Sequence, residues 1–246
     1  PRILQLRDVT RKPSWATFST ASVEGVRLVR AGRPVAAVVH AGGGLLAGLV
    51  AAALGFGYLD SGALYRLTAL AARKAGVDWT DEAGVAAIAA GLDVRFSESY
   101  IRLNGQAVCD AIRSEEMSAG ASQVAALPAA REALLFRQRA FNTAPGLVGD
   151  GRDMGSVVFP RAPLKVFLTA SAEARAERRY KQLIEKGFSA NLPDLLRELR
   201  QRDDRDSRRS VAPLRQEEDA RLLDTTDLTI EQAVNQVLAW SREALQ

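Results

Sequence analysis

Cysteine and histidine are almost absent from the 246 residues, which contain one of each, Cys109 and His40. A single cysteine excludes an internal disulfide. A single histidine excludes a zinc site built from Cys and His, and it leaves a Ser-His-Asp triad no choice of histidine. The composition, 47% hydrophobic and 25% charged, is that of an ordinary globular chain. A reducing, cytoplasmic setting fits this cysteine usage.

The net charge of +4 does not indicate a nucleic-acid partner, because of where the basic residues lie. Residues 1–34 carry seven basic and two acidic side chains, so the other 212 residues sum to −1. A nucleic-acid-binding domain concentrates basic charge on its folded surface. We therefore expect no nucleic-acid partner, and we interpret residues 1–33 as a separate basic segment, either a flexible leader or a transit peptide.

Charged residues are missing between Pro34 and Leu59, and these 26 residues are formally long enough to cross a bilayer. The stretch is rich in glycine and alanine, however, and it divides into "VAAVV", a glycine break and "LLAGLVAAALG". A buried strand, a tight turn and a buried helix ending at Gly55 explain this pattern with fewer assumptions. We expect no contact with a membrane.

The rest of the chain alternates strand and helix patterns, which predicts an α/β fold, a parallel sheet with helices on both faces. The predicted strands are residues 56–60, 146–153, 164–171 and 220–226. The last helix begins with a capping box, Thr229 with Gln232. Between Gly62 and Pro145, "LDVRF" and "YIRLNGQAVCD" alternate apolar and polar residues around Asn104-Gly105. This alternation predicts a hairpin in an inserted subdomain.

Two polar clusters follow predicted strands. In "LDSGALYR" (59–66), Asp60 and Ser61 come at the carboxyl end of a strand, where ligands bind in open α/β sheets, although a helix N-cap explains them equally well. In "GDGRDMGS" (149–156), Asp150, Arg152 and Asp153 lie among glycines. A simple turn needs no arginine between two aspartates, so this cluster favours a site.

A third cluster is rich in both charges and runs through "ARAERRYKQL" (174–183) and "RQRDDRDSRR" (200–209). Such helices are usually solvated faces held by ion pairs between successive turns. The alternative is a clamp of arginines on a mobile flap. Phosphoryl transfer spreads negative charge over the migrating group, so catalysis depends largely on positioning and cationic stabilisation.

Several segments, taken together and in order, resemble the bacterial cytidylate kinases over about residues 52–243. They are "LDSGALYR", "ASQVAALPAAREALLFRQRAF", "GLVGDGRDMGSVVFP", "APLKVFLTASAEARAERRYKQLIEKGFSANL" and "RDDRDSRRSVAPL". The resemblance implies a P-loop nucleoside monophosphate kinase core formed by residues 34–62 and 146–246. Within that core it implies a mobile lid at 174–212, and it makes residues 63–145 an inserted nucleotide-monophosphate-binding subdomain.

The resemblance also implies a reaction, transfer of the γ-phosphate of ATP to CMP or dCMP with Mg²⁺, giving CDP or dCDP in a monomeric enzyme. The implied contacts to the cytosine edge are Ser122, Arg131 and Asp153. Those near the substrate phosphate are Arg66, Arg152 and Arg209, with Asp60, Ser61 and Tyr65 beside them. Arg202 and Asp206 would contact the sugar. Arg178 and Arg179, with Arg152, would act on the transferring phosphate.

The glycine-rich loop departs from the pattern of this family. Without gaps, the family pattern G-x-x-G-x-G-K-G-T falls on "AVVHAGGGL" (37–45), so that Gly43 replaces the lysine and Leu45 the threonine. The amides of Gly42, Gly43 and Gly44 still predict an anion nest at a helix N-terminus, and these glycines are the candidate ATP-binding residues. The lysine for the β- and γ-phosphates and the hydroxyl for Mg²⁺ are absent.

Two hypotheses follow from this loop. The chain is either a cytidylate kinase with a turnover reduced by the missing groups, or a non-catalytic relative that binds CMP. The motifs after residue 52 are intact and the loop before it is not. This abrupt boundary favours an altered N-terminal segment over a gradual loss of function, which would scatter changes through the lid and substrate site as well.

Overall fold

Strands and helices alternate along the chain in a computed structural model that describes residues 44–96, 100–185, 187–207 and 216–245. The helices of these residues are α1 (Gly44–Leu54), α2 (Ser61–Lys74), α3 (Glu82–Ala90), α4 (Glu115–Val124), α5 (Pro128–Ala140), α6 (Ala172–Glu185), α7 (Leu192–Ser207) and α8 (Ile230–Ala244). The strands are β1 (Gly57–Asp60), β2 (Val94–Phe96), β3 (Ile101–Leu103), β4 (Gln106–Ala107), β5 (Leu147–Asp150), β6 (Val166–Thr169) and β7 (Arg221–Asp224).

The parallel pairing expected from the sequence is confirmed. β1 pairs with β5 and β6 with β7, both in parallel. The alternation of side chains along β5 places helices on both faces. Leu147 belongs to one hydrophobic cluster with Leu67 of α2, and the next residue, Val148, belongs to a second cluster with Val50 of α1 and Val234 of α8. The predicted strand "VAAVV" lies outside the described residues.

The helix predicted after the glycines is confirmed as α1, which ends at Gly55, a residue with φ of +67° that suits a helix C-terminus. Its apolar side chains are buried against β5 and α8. Among the described residues, no helix combines the length and the apolarity that a bilayer crossing requires.

The hairpin predicted at Asn104-Gly105 is present between β3 and β4, and β2 pairs antiparallel with β3. Both turn residues have positive φ, +50° and +78°, as a two-residue type I′ turn requires. The capping box of α8 is also present: Thr229 Oγ1 accepts from the Gln232 amide, and the Gln232 side chain accepts from the Thr229 amide.

The strand predicted at 146–153 is three residues too long at its carboxyl end, because β5 ends at Asp150. The chain bends at once over the start of α2, where a Cβ on Gly151 would come within 2.8 Å of the Ser61 Cβ. A π-helical turn follows at Met154–Val158. Arg139 of α5 donates to the carbonyls of Val157 and Val158 in that turn, at 3.0 and 3.1 Å.

The packing of α4 on Trp79 gives a stability test. A Cβ on Gly120 would come within 2.6 Å of the Trp79 ring, whose Nε1 donates to the Ala69 carbonyl at 2.9 Å. We expect Gly120→Ala to lower the free energy of unfolding by about 1–3 kcal/mol, since the ring must move and strain that hydrogen bond. Urea denaturation measures this. Gly91→Ala is the control, because its new Cβ would make only an ordinary 3.5 Å contact, and equal effects would contradict the role of Trp79.

Candidate functional site

The site is centred on the carboxyl ends of β1 and β5, where the parallel register pairs Asp60 with Asp150. Asp60 is the N-cap of α2, and its Oδ1 accepts from the Ala63 amide at 2.9 Å. Its Oδ2 accepts from Arg66 Nη2 at 2.8 Å. The N-cap interpretation is therefore correct, and the same carboxylate also holds a predicted phosphate-binding arginine in place.

The Arg66 guanidinium donates to Asp60 through Nη2, whereas its Nε has no acceptor among the described residues. Its Nε is buried and has no hydrogen-bond partner among the described residues, while its side chain as a whole keeps 26% of its surface exposed. A Cβ on Gly62 would come within 3.2 Å of both Arg66 Nη1 and Asp60 Oδ1. The glycine of "DSGALYR" therefore leaves room for this ion pair.

Tyr58 was not among the predicted site residues, yet it lies at the start of α1 together with Asp150, a residue of the predicted cluster at 149–156. The Tyr58 hydroxyl donates to Asp150 Oδ2 at 3.5 Å. A Cβ on Gly44 would come within 3.2 Å of that hydroxyl and 3.3 Å of Asp150 Oδ2. The signal for Tyr58 was its position two residues before Asp60, which places both on the same face of β1.

The Asp60 carboxylate and the surrounding burial alter the protonation of Asp150. Burial, and then the negative charge of Asp60, raise the pKa of Asp150 well above its ordinary range, while Arg66 and the Tyr58 hydroxyl act in the opposite direction. Burial and the neighbouring Asp150 raise the pKa of Tyr58, so the phenol keeps its proton at neutral pH and serves as a donor.

Arg131 and Asp153, both predicted to bind cytosine, form a salt bridge between α5 and the bend after β5. Asp153 is buried, and Arg131 also donates to the Ala125 carbonyl at 3.4 Å. Ser122, the third residue of this predicted set, lies on α4 and is partly exposed. The structure thus pairs an acceptor with a donor at the place where a base edge was expected.

Ser61 and Tyr65 are buried on α2, and Gln138 of α5 connects to both. Gln138 Nε2 donates to Ser61 Oγ at 2.8 Å. Burial, and then the charge of Asp153, raise the pKa of Tyr65 to about 12, whereas Arg131 and a hydrogen bond with Gln138 act to lower it. The two predicted clusters therefore lie within each other's electrostatic reach. Gln138 was missed, although it follows Arg131 by seven residues and so shares its helix face.

The glycines around Arg152 permit close packing. A Cβ on Gly149 would come within 2.4 Å of Met154 Cε. Met154 is itself fully buried. The bend that carries Arg152 and Asp153 therefore packs closely on Met154.

The predicted lid residues lie on α6 and α7, away from the ends of β1 and β5 along the chain. Arg178 and Arg179 are both exposed on α6. Arg178 donates to the carbonyl of Thr225 and, at 3.2 Å, to its Oγ1 in the loop after β7. The ion pairs Arg175–Asp203 and Arg200–Glu173 join α6 to α7, as a charged helix pair requires.

Some of the predicted residues cannot be placed. Arg202 and Asp206 belong to α7, but their side chains lie outside the described part of the structure, as does the whole of Arg209. Among the loop glycines, only Gly44 lies within the described residues.

The chain was compared with known proteins. The family model described as cytidylate kinase matches residues 38–243. A cytidylate kinase of Chromobacterium violaceum is 61% identical over 202 residues, which is 82% of this chain and 91% of that protein. One from Azotobacter vinelandii is 58% identical over 217 residues, 84% and 95% of the two chains. One from Cupriavidus necator is 58% identical over 199 residues, 81% and 90%.

The chain belongs to the cytidylate kinase family. The expectation of a family of ATP-dependent enzymes with a P-loop kinase fold is thereby confirmed. The family match begins at residue 38, ahead of the residue 52 at which the resemblance was expected to start. The departing loop therefore lies inside the region that matches the family.

The raised pKa of Asp150 gives a pH test. The folded state holds the Asp150 proton more tightly than the unfolded chain does, so this carboxyl lowers stability as pH rises from about 4 through its folded pKa. We expect Asp150→Asn to remove that part of the pH dependence and to raise the free energy of unfolding at pH 7. Urea denaturation at a series of pH values measures both.

The exposed Asp227→Asn is the matched control and should leave the pH profile unchanged. If Asp150→Asn were to lower stability at pH 7 or to keep the wild-type profile, burial and the repulsion from Asp60 would not make the charged Asp150 unfavourable to folding.

Proposed function

We propose that the chain phosphorylates CMP or dCMP with ATP, and that the monophosphate binds between α2, α5 and the bend after β5. The observation that carries this proposal is the salt bridge of Arg131 with the buried Asp153, within the electrostatic reach of Tyr65. An arginine donor beside a carboxylate acceptor matches the ring carbonyl and exocyclic amine of cytosine. Ser122 is the third residue assigned to the base.

The substrate phosphate is assigned to Arg66 and Arg152, and to Arg209 beyond the described residues. Arg66 supports the assignment because its Nε is buried without a hydrogen-bond partner among the described residues, and Asp60 fixes the direction of the guanidinium. Cations held in place before the reaction stabilise the charge that spreads over a transferring phosphoryl group. Ser61 and Tyr65 are assigned to the same phosphate end of the substrate. Arg202 and Asp206 are assigned to the sugar.

ATP is assigned to the loop glycines Gly42, Gly43 and Gly44, with Arg178 and Arg179 acting on its phosphates from the lid. No group of three or more metal-binding side chains occurs among the described residues. Mg²⁺ in kinases commonly uses one or two carboxylates together with substrate phosphates. Asp150 and Asp60 fit that requirement, and the ion would supply charge neutralisation beside the phosphates. We place the protein in the cytoplasm and expect it to act as a monomer, with residues 63–145 as the substrate-binding insert.

A second candidate function, a non-catalytic CMP-binding relative, is favoured by one observation. The loop places Gly43 and Leu45 where the family has a lysine and a threonine, so the groups that meet the β- and γ-phosphates and Mg²⁺ are missing while the CMP residues remain. The two functions differ in turnover and agree in CMP binding.

CMP recognition is tested by Asp153→Ala. We expect the variant to lose about tenfold or more in CMP affinity and less in UMP affinity, because uracil lacks the amine that a carboxylate accepts from. Isothermal titration with CMP and UMP, in the absence of ATP, measures the difference. Glu116→Ala, which removes an exposed partner of Arg73, is the control and should bind both nucleotides like the unaltered chain. An unaltered chain that binds UMP or AMP as well as CMP would refute the assignment.

Turnover is tested by restoring the loop. Without the lysine and hydroxyl, we expect the chain to phosphorylate CMP more slowly than an intact kinase by about 100-fold or more, as when one transition-state donor is removed. Gly43→Lys with Leu45→Thr should recover part of the rate, measured as ADP release with CMP.

Gly43→Lys alone is the matched comparison and should recover less, because the Mg²⁺ hydroxyl is still absent. Rapid turnover by the unaltered chain would show that the loop does not need these groups. No gain from the double replacement would favour the non-catalytic CMP-binding function.

A further inference from the structure

Gln138 is a polar residue in an otherwise apolar stripe of α5. The stripe repeats every four residues as Ala130, Leu134 and Gln138, and all three are buried, Gln138 with 1% of its surface exposed. Burying an amide costs free energy unless hydrogen bonds compensate, and a leucine would extend the stripe without that cost. The partners of Gln138 therefore account for its presence.

Those partners are Ser61 and Tyr65, which lie one turn apart on α2 and so share a face. Gln138 Nε2 donates to Ser61 Oγ at 2.8 Å, and the Gln138 side chain also acts to lower the pKa of the Tyr65 hydroxyl. One amide thus joins two residues assigned to the substrate, from a helix 77 residues further along the chain.

The direction of the bond to Ser61 determines where its proton points. A serine hydroxyl has one proton and two acceptor lone pairs. Because the amide donates, Ser61 Oγ accepts, and its own proton is directed away from Gln138. The backbone of Gly151 lies beside this oxygen, since a Cβ there would come within 3.1 Å of it. The hydroxyl therefore lies next to the bend that carries Arg152 and Asp153.

We propose that Gln138 is a positioning residue that fixes the Ser61 hydroxyl so that its proton is donated to bound CMP. The inference rests on the proposed function, because it requires CMP to occupy the site between α2 and α5. Gln138 itself does not touch the substrate. Its effect passes through Ser61, which makes the two residues thermodynamically coupled.

A double-mutant cycle on CMP affinity tests the coupling. Gln138→Met keeps the length of the side chain and removes the donor. We expect it to weaken CMP binding about fivefold to tenfold in isothermal titration, the loss of one hydrogen bond, with little change in the thermal midpoint. In the Ser61→Ala background, the same replacement should cost less than about twofold. Gln236→Met, an exposed glutamine on α8, is the control and should bind like the unaltered chain.

Each other outcome overturns the inference. Unchanged CMP affinity in Gln138→Met would refute the role of Gln138. So would the same fivefold to tenfold loss in the Ser61→Ala background, because the effect would then not pass through Ser61. Either result would leave the proposed function standing. Gln138→Leu is the second variant if the methionine does not fit, and unfolding of both would make Gln138 a folding residue. Failure of the unaltered chain to bind CMP would refute the proposed function first, and the inference with it.

Discussion

The parallel register of β1 and β5 sets two carboxylates, Asp60 and Asp150, side by side at the ends of neighbouring strands. Burial, and then repulsion from the Asp60 carboxylate, raise the pKa of Asp150. Arg66 offsets part of that repulsion and the Tyr58 hydroxyl another part. The fold thus keeps an electrostatically unfavourable arrangement at the strand ends, as proteins do where a ligand rather than folding requires it.

The second half of the site comes from α5, one helix that serves three purposes. Arg131 reaches Asp153, Gln138 reaches Ser61, and Arg139 satisfies carbonyls of the π-helical turn after β5. Because all three contacts come from the same helix, a shift of α5 would alter the Arg131–Asp153 salt bridge, the hydrogen bond to Ser61 and the bend together. The apolar residues between them belong to the cluster that α2 and α3 share, so this helix is held by the core as well as by the site.

Local rules were enough to predict much of this from the sequence. The strand-to-helix step at Asp60, the hairpin at Asn104-Gly105 and the capping box at Thr229 each depend on a few neighbouring residues. The motifs also indicated the family, and they assigned Arg131 and Asp153 to the same base-binding set without predicting the salt bridge between them. The partners of Tyr58 and Gln138 could not be predicted, because they lie 92 and 77 residues away along the chain. An isolated glutamine or tyrosine in an apolar segment indicates burial without indicating the partner.

The close approach of Gly149 to Met154 has an evolutionary consequence. The methyl end of Met154 occupies the space that a side chain at 149 would need, 2.4 Å from its Cβ. The two positions therefore cannot vary independently: an alanine at 149 requires a shorter or differently branched residue at 154, and a longer residue at 154 requires glycine at 149. Among homologous sequences, the residues at positions 149 and 154 should therefore change together, even though neither position is assigned to a nucleotide.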